Sequence, residues 1–366
     1  MPVATRTATV TAPSKLRLRR SDCSGPGIQR VKRGRGFSYV DADGRPVSDP
    51  EERLRIRELA IPPAWREVWI CSDLAGHLQA TGVDAAGRKQ YLYHTRWREL
   101  QDQKKFGRMA DFARSLPRLR RRIAADLEAD ELSDTRVLAC AVRLLDVGLF
   151  RIGSEQYADE DGGVGLATIG KRNVTIQDGI VTFDYLGKGG IRRRQEIIDP
   201  ATREVVEALK RRRAGGDQLL AYREGRRWRS VRSDQIADYL KHQIGDQFSA
   251  KDFRTWNATV LAAVALAADG REARSKTARR RAINGAVQGV AQVLGNTPAV
   301  ARRSYIDPRV FDRYLSGWTI GAALDRIGSL EGPDDRARRR LELAVLELLV
   351  DYRHSSAVQR IDAVSD

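Results

Sequence analysis

The spacing of apolar residues divides the chain into two regimes. Over residues 25–105 short apolar and aromatic runs, such as Val68-Trp69-Ile70 and Tyr91-Leu92-Tyr93, are separated by turn formers at Asp43-Gly44, Gly76, Asp84 and Gly87. Runs this short, punctuated this often, predict strands. From about residue 106 the apolar period lengthens to that of a helix, as in Phe112–Leu127 and Leu132–Leu149. Further helices are predicted over 200–212, 233–244, 251–268, 276–294 and 298–306, and a last amphipathic one over 335–352 carries Leu341, Ala344, Val345, Leu348 and Tyr352 on one face. Residues 172–198 interrupt this regime with three short strands, turned at Asp178-Gly179 and again at Gly187–Gly190. The predicted class is α+β: a flexible basic arm (1–24), a small β-rich N-terminal domain (25–105), a mainly α-helical domain with a three-stranded β insert (106–315) and a C-terminal helical extension (316–366).

Charge adds a partner to this outline. The 366 residues carry 65 basic and 48 acidic side chains, a formal net charge of +17. Residues 1–105 hold 20 basic and 12 acidic groups, so +8 of the excess lies there and +9 in the remainder. Both regions are therefore suited to a polyanion, since each cation near a phosphate releases a condensed counterion. Arginine outnumbers lysine 54 to 11, as GC-rich coding in a bacterium would produce. Cys23, Cys71 and Cys140 are scattered and the four histidines are far apart, so neither a disulfide framework nor a zinc site is expected. The longest strongly apolar run, about Val260 to Ala268, is too short to span a membrane, and the N-terminus lacks the apolar stretch of a signal peptide. The expected location is the cytoplasm.

Four local features carry candidate chemistry. Arg151 follows an apolar helix directly in Leu149-Phe150-Arg151-Ile152-Gly153, where it is either held rigidly for a ligand or paired with Asp146 or Glu155. Lys188 sits between glycines at a hairpin tip; it is a solvated turn lysine or a proton donor that approaches a ligand closely, because the flanking backbone has no bulk. In Ser249-Ala250-Lys251-Asp252-Phe253-Arg254, Ser249 and Asp252 form a capping pair, and two cations fall near a helix start, where the dipole favours anions. That conflict of charge with dipole points to an anionic ligand. In Leu294-Gly295-Asn296-Thr297-Pro298, Thr297 and Pro298 open a helix that leads to Tyr305, with Arg302 and Arg303 beside it. Tyr305 is a phosphate-seeking nucleophile or one core tyrosine among ten.

Taken in order, Arg151, Lys188 on a hairpin, Lys251-x-x-Arg254 and Leu294-Gly-Asn-Thr-Pro followed by Tyr305 resemble the poxvirus-like bacterial type IB topoisomerases. The N-terminal stretches Ile61-Pro62-Pro63-Ala64-Trp65, Gly76-His77-Leu78-Gln79-Ala80-Thr81-Gly82 and Gly87-Arg88-Lys89-Gln90-Tyr91-Leu92-Tyr93-His94 are similar to that family as well, so the resemblance covers about residues 25–315. It implies an enzyme that relaxes supercoiled double-stranded DNA without ATP, metal or small-molecule cofactor, as a monomer whose β-rich domain and helical domain clamp the duplex. A tyrosine, here Tyr305, attacks the scissile phosphate and forms a 3′-phosphotyrosyl intermediate; strand rotation and religation follow. By position Arg151 and Arg254 stabilise the transition state and Lys188 protonates the leaving 5′-oxygen. Asn296 stands where many members have histidine, so it donates a hydrogen bond but carries no charge. Lys251 stands where the related tyrosine recombinases usually have histidine, which with the N-terminal β-rich domain favours the topoisomerase over that rival, and the intact set of Arg151, Lys188, Arg254 and Tyr305 favours it over a non-catalytic DNA-binding protein. Lys89, Gln90, Tyr91, Tyr93 and Tyr157 match DNA contacts, whereas Ser154 and Gln156 replace basic residues of the viral enzymes.

Overall fold

The computed structural model describes residues 17–129, 131–153, 163–328 and 335–361. The chain forms two compact units, divided at Lys105/Phe106.

The first unit is built on one antiparallel sheet. Strands β1 (Ile28–Arg33), β2 (Gly36–Val40), β3 (Arg66–Ile70), β4 (Leu78–Val83) and β5 (Lys89–Tyr93) are ordered β2-β1-β3-β4-β5. Ile28, Ile56, Val68, Ile70 and Ala80 form its core. Ile56 comes from helix α1 (Pro50–Glu58), an element absent from the sequence expectation. Its signals are polar rather than periodic: the Asp49 carboxylate accepts from the Glu51 N–H and Pro50 opens the first turn. With one buried residue in its length, the helix shows no apolar stripe to read.

The second unit is mainly helical. Helix α2 (Thr95–Leu127) starts earlier than the apolar period indicates, because its first turns lack a buried face until Phe106. Helices α3 (Asp134–Gly148), α4 (Pro200–Arg211), α5 (Ser233–Ile244), α6 (Ala250–Ala268), α7 (Lys276–Leu294) and α8 (Pro298–Ser304) follow near their expected places. Two short helices, α9 (Pro308–Leu315) and α10 (Gly321–Ile327), and a small hairpin of β9 (Ala221–Glu224) and β10 (Arg227–Ser230) were not expected. Helix α6 runs through the centre and buries Phe253, Trp256, Ala258, Ala262 and Ala263. Phe112 of α2 meets Phe248 and Phe253 edge-on at 5.4 and 5.1 Å. The last helix, α11 (Asp335–Val350), adds Leu341, Ala344, Val345 and Leu348 to this same core, and β11 (Trp318–Thr319) pairs with β12 (Gln359–Arg360) just beyond it.

The insert is the expected three-stranded meander of β6 (Val174–Gln177), β7 (Ile180–Leu186) and β8 (Arg192–Ile197). Asp178 and Gly179 both take positive φ, 51° and 79°, as a two-residue hairpin turn of matching twist requires. Val181, Phe183 and Tyr185 alternate inward along β7, and Phe150 packs on Phe183 and Tyr185. The insert is thereby fixed to the segment that carries Arg151.

Candidate active site

Each candidate side chain in the second unit is delivered by the end of an element. Helix α3 stops at Gly148 because Leu149 adopts a left-handed conformation (φ 57°, ψ 27°), a strained state for a branched residue. The chain then turns through Phe150 to Arg151, whose carbonyl accepts from the Leu166 N–H at 2.9 Å. Arg151 does not pair with Asp146, one of the two carboxylates considered for it from sequence, because Asp146 is taken up by Arg120, Arg143 and Arg338; the other, Glu155, lies outside the described residues. Its guanidinium instead donates to Asn296 Oδ1 at 2.5 Å.

Asn296 lies in the link between α7 and α8. Thr297 caps α8 by accepting from the Val300 N–H, and Pro298 opens it, as the sequence indicates. Helix α8 is shorter than expected: it ends at Ser304, and Tyr305 is its C-cap residue rather than part of its body. The Tyr305 carbonyl and the Asp307 N–H both bond the buried Thr259 hydroxyl of α6, which fixes the break between α8 and α9. Tyr305 is 7% exposed.

Arg254 is 3% exposed and sits between these parts. Its guanidinium donates to the carbonyls of Leu149 and Leu294, the ends of α3 and α7. The sequence conflict of a cation near a helix start is thus resolved by the negative ends of two other helices. The Arg254 guanidinium carbon lies 5.2 Å from the centre of the Tyr305 ring, and Lys251 Nζ lies 5.8 Å from it. Arg302 does not serve Tyr305: it stacks over Phe311 at 5.0 Å, so the cations beside the phenol come from α6 and the Arg151 segment.

Charge follows from this placement. Burial raises the Tyr305 phenol, but Arg254, Arg151 and Lys251 outweigh it, and the net shift is downward from the usual phenol value. Burial, and after it the neighbouring Arg151 charge, lower Arg254. Among the described residues Arg151, Arg193, Lys251 and Arg254 form no ion pair with a carboxylate. Among the described residues, Arg254 Nε and Asn296 Nδ2 are buried donors without a hydrogen-bond partner. Orphaned donors in a cationic cluster are the arrangement an oxyanion satisfies. Arg151, Lys188 and Arg254 line one cleft together with Tyr185, Arg193 and Gly295. Lys188 follows Gly187 at the tip between β7 and β8, where Gly189 and Gly190 take φ of 74° and 70°. No group of His, Cys, Asp or Glu among the described residues is arranged to hold a metal ion.

The candidates in the first unit form a separate surface. On β5 the side chains alternate, so Lys89, Tyr91 and Tyr93 point outward. The Tyr91 and Tyr93 rings stack at 6.2 Å and remain 45% and 38% exposed. Gln90 departs from this set: it faces the other side, where its amide donates to Asp84 at 2.8 Å. Tyr157, with Ser154 and Gln156, lies outside the described residues. Tyr185, Arg193 and Gln195 were not singled out from sequence, since which arginine of Arg192-Arg193-Arg194 turns inward depends on strand register.

A cleft lined by Arg151, Arg254 and Lys188, with a buried tyrosine drawn toward ionisation beside Arg254, is suited to a phosphodiester. Comparison with known proteins agrees. Residues 94–316 match the family described as eukaryotic DNA topoisomerase I, catalytic core, and residues 36–84 match the bacterial DNA topoisomerase IB N-terminal domain. DNA topoisomerase 1B of Acanthamoeba polyphaga mimivirus is 30% identical over 287 residues, 76% of this chain and 85% of the viral one. DNA topoisomerase 1 of Daucus carota is 31% identical over 134 residues, 36% of this chain and 16% of that protein, and the Schizosaccharomyces pombe enzyme is 30% identical over 167 residues, 45% and 19%. The chain belongs to the type IB DNA topoisomerases, isomerases that act on DNA and relax its supercoils. No helix among the described residues is long and apolar enough to cross a membrane.

Proposed function

We propose that Tyr305 is the nucleophile of this topoisomerase and that Arg151, Arg254, Lys188 and Asn296 complete its catalytic set. The Tyr305 oxygen attacks the scissile phosphorus and loses its proton to solvent, a loss favoured by the cations that lower the phenol. The new O–P bond forms as the bond to the 5′-oxygen breaks, and Lys188 delivers the proton that the 5′-oxygen needs to leave. Arg151 and Arg254 donate to the non-bridging oxygens, whose charge rises in the pentacoordinate state. Asn296 adds its Nδ2 donor, while its Oδ1 holds Arg151 in place. The 3′-phosphotyrosyl bond stores the energy of the cut, the strand rotates, and the 5′-hydroxyl reverses each step. Lys251, 5.8 Å from the Tyr305 ring, adds positive charge beside the phenol and the phosphate.

In the first unit Lys89, Tyr91 and Tyr93 supply a contact surface for the duplex, with Gln90 reading a base edge once released from Asp84. The protein acts as a monomer in the cytoplasm on nucleoid DNA and needs no metal, ATP or other cofactor. The observation that carries this reading is the meeting of Tyr305 with Arg254 in a site where, among the described residues, two buried donors, Arg254 Nε and Asn296 Nδ2, lack acceptors. Supercoiled plasmid incubated with the protein, EDTA and no ATP tests it. A ladder of relaxed topoisomers that vanishes in Tyr305→Phe is the expected outcome; no relaxation at low salt contradicts it.

A further inference from the structure

We infer that Arg193 is a positioning residue for the Lys188 proton donor, acting by tying the β7–β8 hairpin to the C-terminal end of α7. The inference rests on the reading of Lys188 as the general acid.

Lys188 stands on a hairpin tip, and a tip is free to drift unless its strands are held close to it. Two side chains of β8 hold this one, and both face inward by strand alternation. Arg193 pairs with Tyr185 across the ladder. Its Nη2 donates to the Val293 carbonyl at 2.7 Å, and its Nη1 approaches the Gln292 carbonyl at 3.5 Å. These carbonyls lie in the last turn of α7, where the dipole favours a cation; the Gln292 carbonyl also accepts from the Gly295 N–H at 3.1 Å, so the Val293 carbonyl is the one that depends on Arg193. Gln195 does the same at α3: its amide donates to the Gly148 carbonyl, and its Oε1 accepts from the Tyr185 hydroxyl at 2.6 Å. The hairpin is therefore pinned to the ends of the two helices that lead to Asn296 and to Arg151.

The fit at α7 is close. Gly295 takes φ of +60°, and a Cβ there would lie 2.3 Å from Arg193 Nη1. The glycine of Leu294-Gly295-Asn296 thus serves two ends: it closes the helix and leaves room for the guanidinium. Arg193 also has an electrostatic cost, because its charge disfavours that of Arg254 in a cleft where neither pairs with a carboxylate. A neutral donor would satisfy the same carbonyls without that repulsion.

The test compares two duplexes that share a cleavage site, first mapped on plasmid, and differ at the scissile bridging atom: 5′-oxygen in one, 5′-sulfur in the other. Sulfur leaves as a thiolate and needs no proton, so it bypasses any defect in acid catalysis. Single-turnover formation of the covalent complex is followed for the full-length protein. Lys188→Ala is expected to slow the oxygen substrate by about 10²–10⁴-fold and to cut the sulfur substrate near the parent rate. Arg193→Ala is expected to slow the oxygen substrate by about 10–10²-fold, the scale of a misplaced catalytic group, and likewise to cut the sulfur substrate near the parent rate. Arg193→Lys keeps one donor for the Val293 carbonyl; it gives a smaller oxygen defect and serves as the reading if the alanine variant does not fold. Equal slowing on both substrates, or no slowing on oxygen, overturns the inference while Lys188→Ala is still rescued by sulfur. If Lys188→Ala itself is not rescued, the acid assignment falls and takes the inference with it.

Discussion

Two clusters of arginine lie close together in the helical unit and differ in what balances them. In the first, Arg120, Arg143 and Arg338 meet Asp146, Asp199, Asp335 and Glu342. Arg120 forks onto both Asp146 and Glu342 at 2.6–3.0 Å, and Arg338 adds a contact to Asp146 at 2.6 Å. Burial disfavours the Asp146 charge, but Arg338, Arg120 and Arg143 overcome this and hold its carboxyl well below the usual range. In the second cluster Arg151, Arg193 and Arg254 are answered by the Asn296 side-chain oxygen and by backbone carbonyls at the ends of α3 and α7. Carbonyl dipoles position a guanidinium without neutralising it. The first cluster is closed and binds α11 to α2 and α3; the second keeps its charge unneutralised, as the proposed phosphate site requires.

The contrast predicts opposite consequences for mutation. Arg254→Ala or Arg151→Ala should lower the single-turnover cleavage rate by about 10²–10³-fold, the cost of one oxyanion donor, with a small change in the urea midpoint. A large fall in stability would place these arginines with the first cluster. Asp146→Asn should do the reverse, since removal of one partner leaves buried cations uncompensated. A loss of about 3–5 kcal/mol in urea unfolding is expected, with the folded fraction still forming the covalent complex; unchanged stability would contradict the account of that cluster.

A smaller effect distinguishes the two environments by pH. The folded phenol of Tyr305 titrates below its unfolded value of about 10, because the cations favour its ionised form. Its contribution to stability is therefore fully present only above the unfolded value and is lost as pH falls through the folded one. Phenolate absorbance of the parent minus that of Tyr305→Phe should rise below pH 10, and the two proteins should be equally stable near neutrality. A Tyr305 transition above pH 10 would show that burial outweighs the arginines. The smallest effect belongs to the exposed pair of the first unit: Tyr91→Ala with Tyr93→Ala should change stability by under about 0.5 kcal/mol and weaken duplex binding about tenfold, about 1.4 kcal/mol. Undiminished affinity would make the stacked pair a bystander.

What the sequence conveyed tracks how local each determinant is. Asp178-Gly179, Thr297-Pro298 and the Ser249/Asp252 pair are fixed within a few residues, and the structure has the hairpin turn, the α8 cap and the Asp252 bond to the Ser249 N–H. The order Arg151, Lys188, Arg254, Tyr305 was readable as a motif, and their convergence is a product of packing. Helix α1 escaped because its one buried residue leaves no period. The partner of Arg151 and one partner of Asp146 escaped because they come from segments far along the chain, Asn296 and Arg338 of α11. Gln90 was grouped with Tyr91 and Tyr93 because all three match DNA contacts of the resembled family, although alternation places it on the other face.

The central claim, that the cation-rich site serves one phenol, is tested most directly by trapping the covalent complex on plasmid DNA with detergent. The protein is digested with protease, the DNA trimmed with nuclease, and the nucleotide-bearing peptide sequenced by mass spectrometry. The account predicts a single adduct, on the peptide that contains Tyr305, absent from Tyr305→Phe. An adduct on any other tyrosine, or one that survives that substitution, would contradict it.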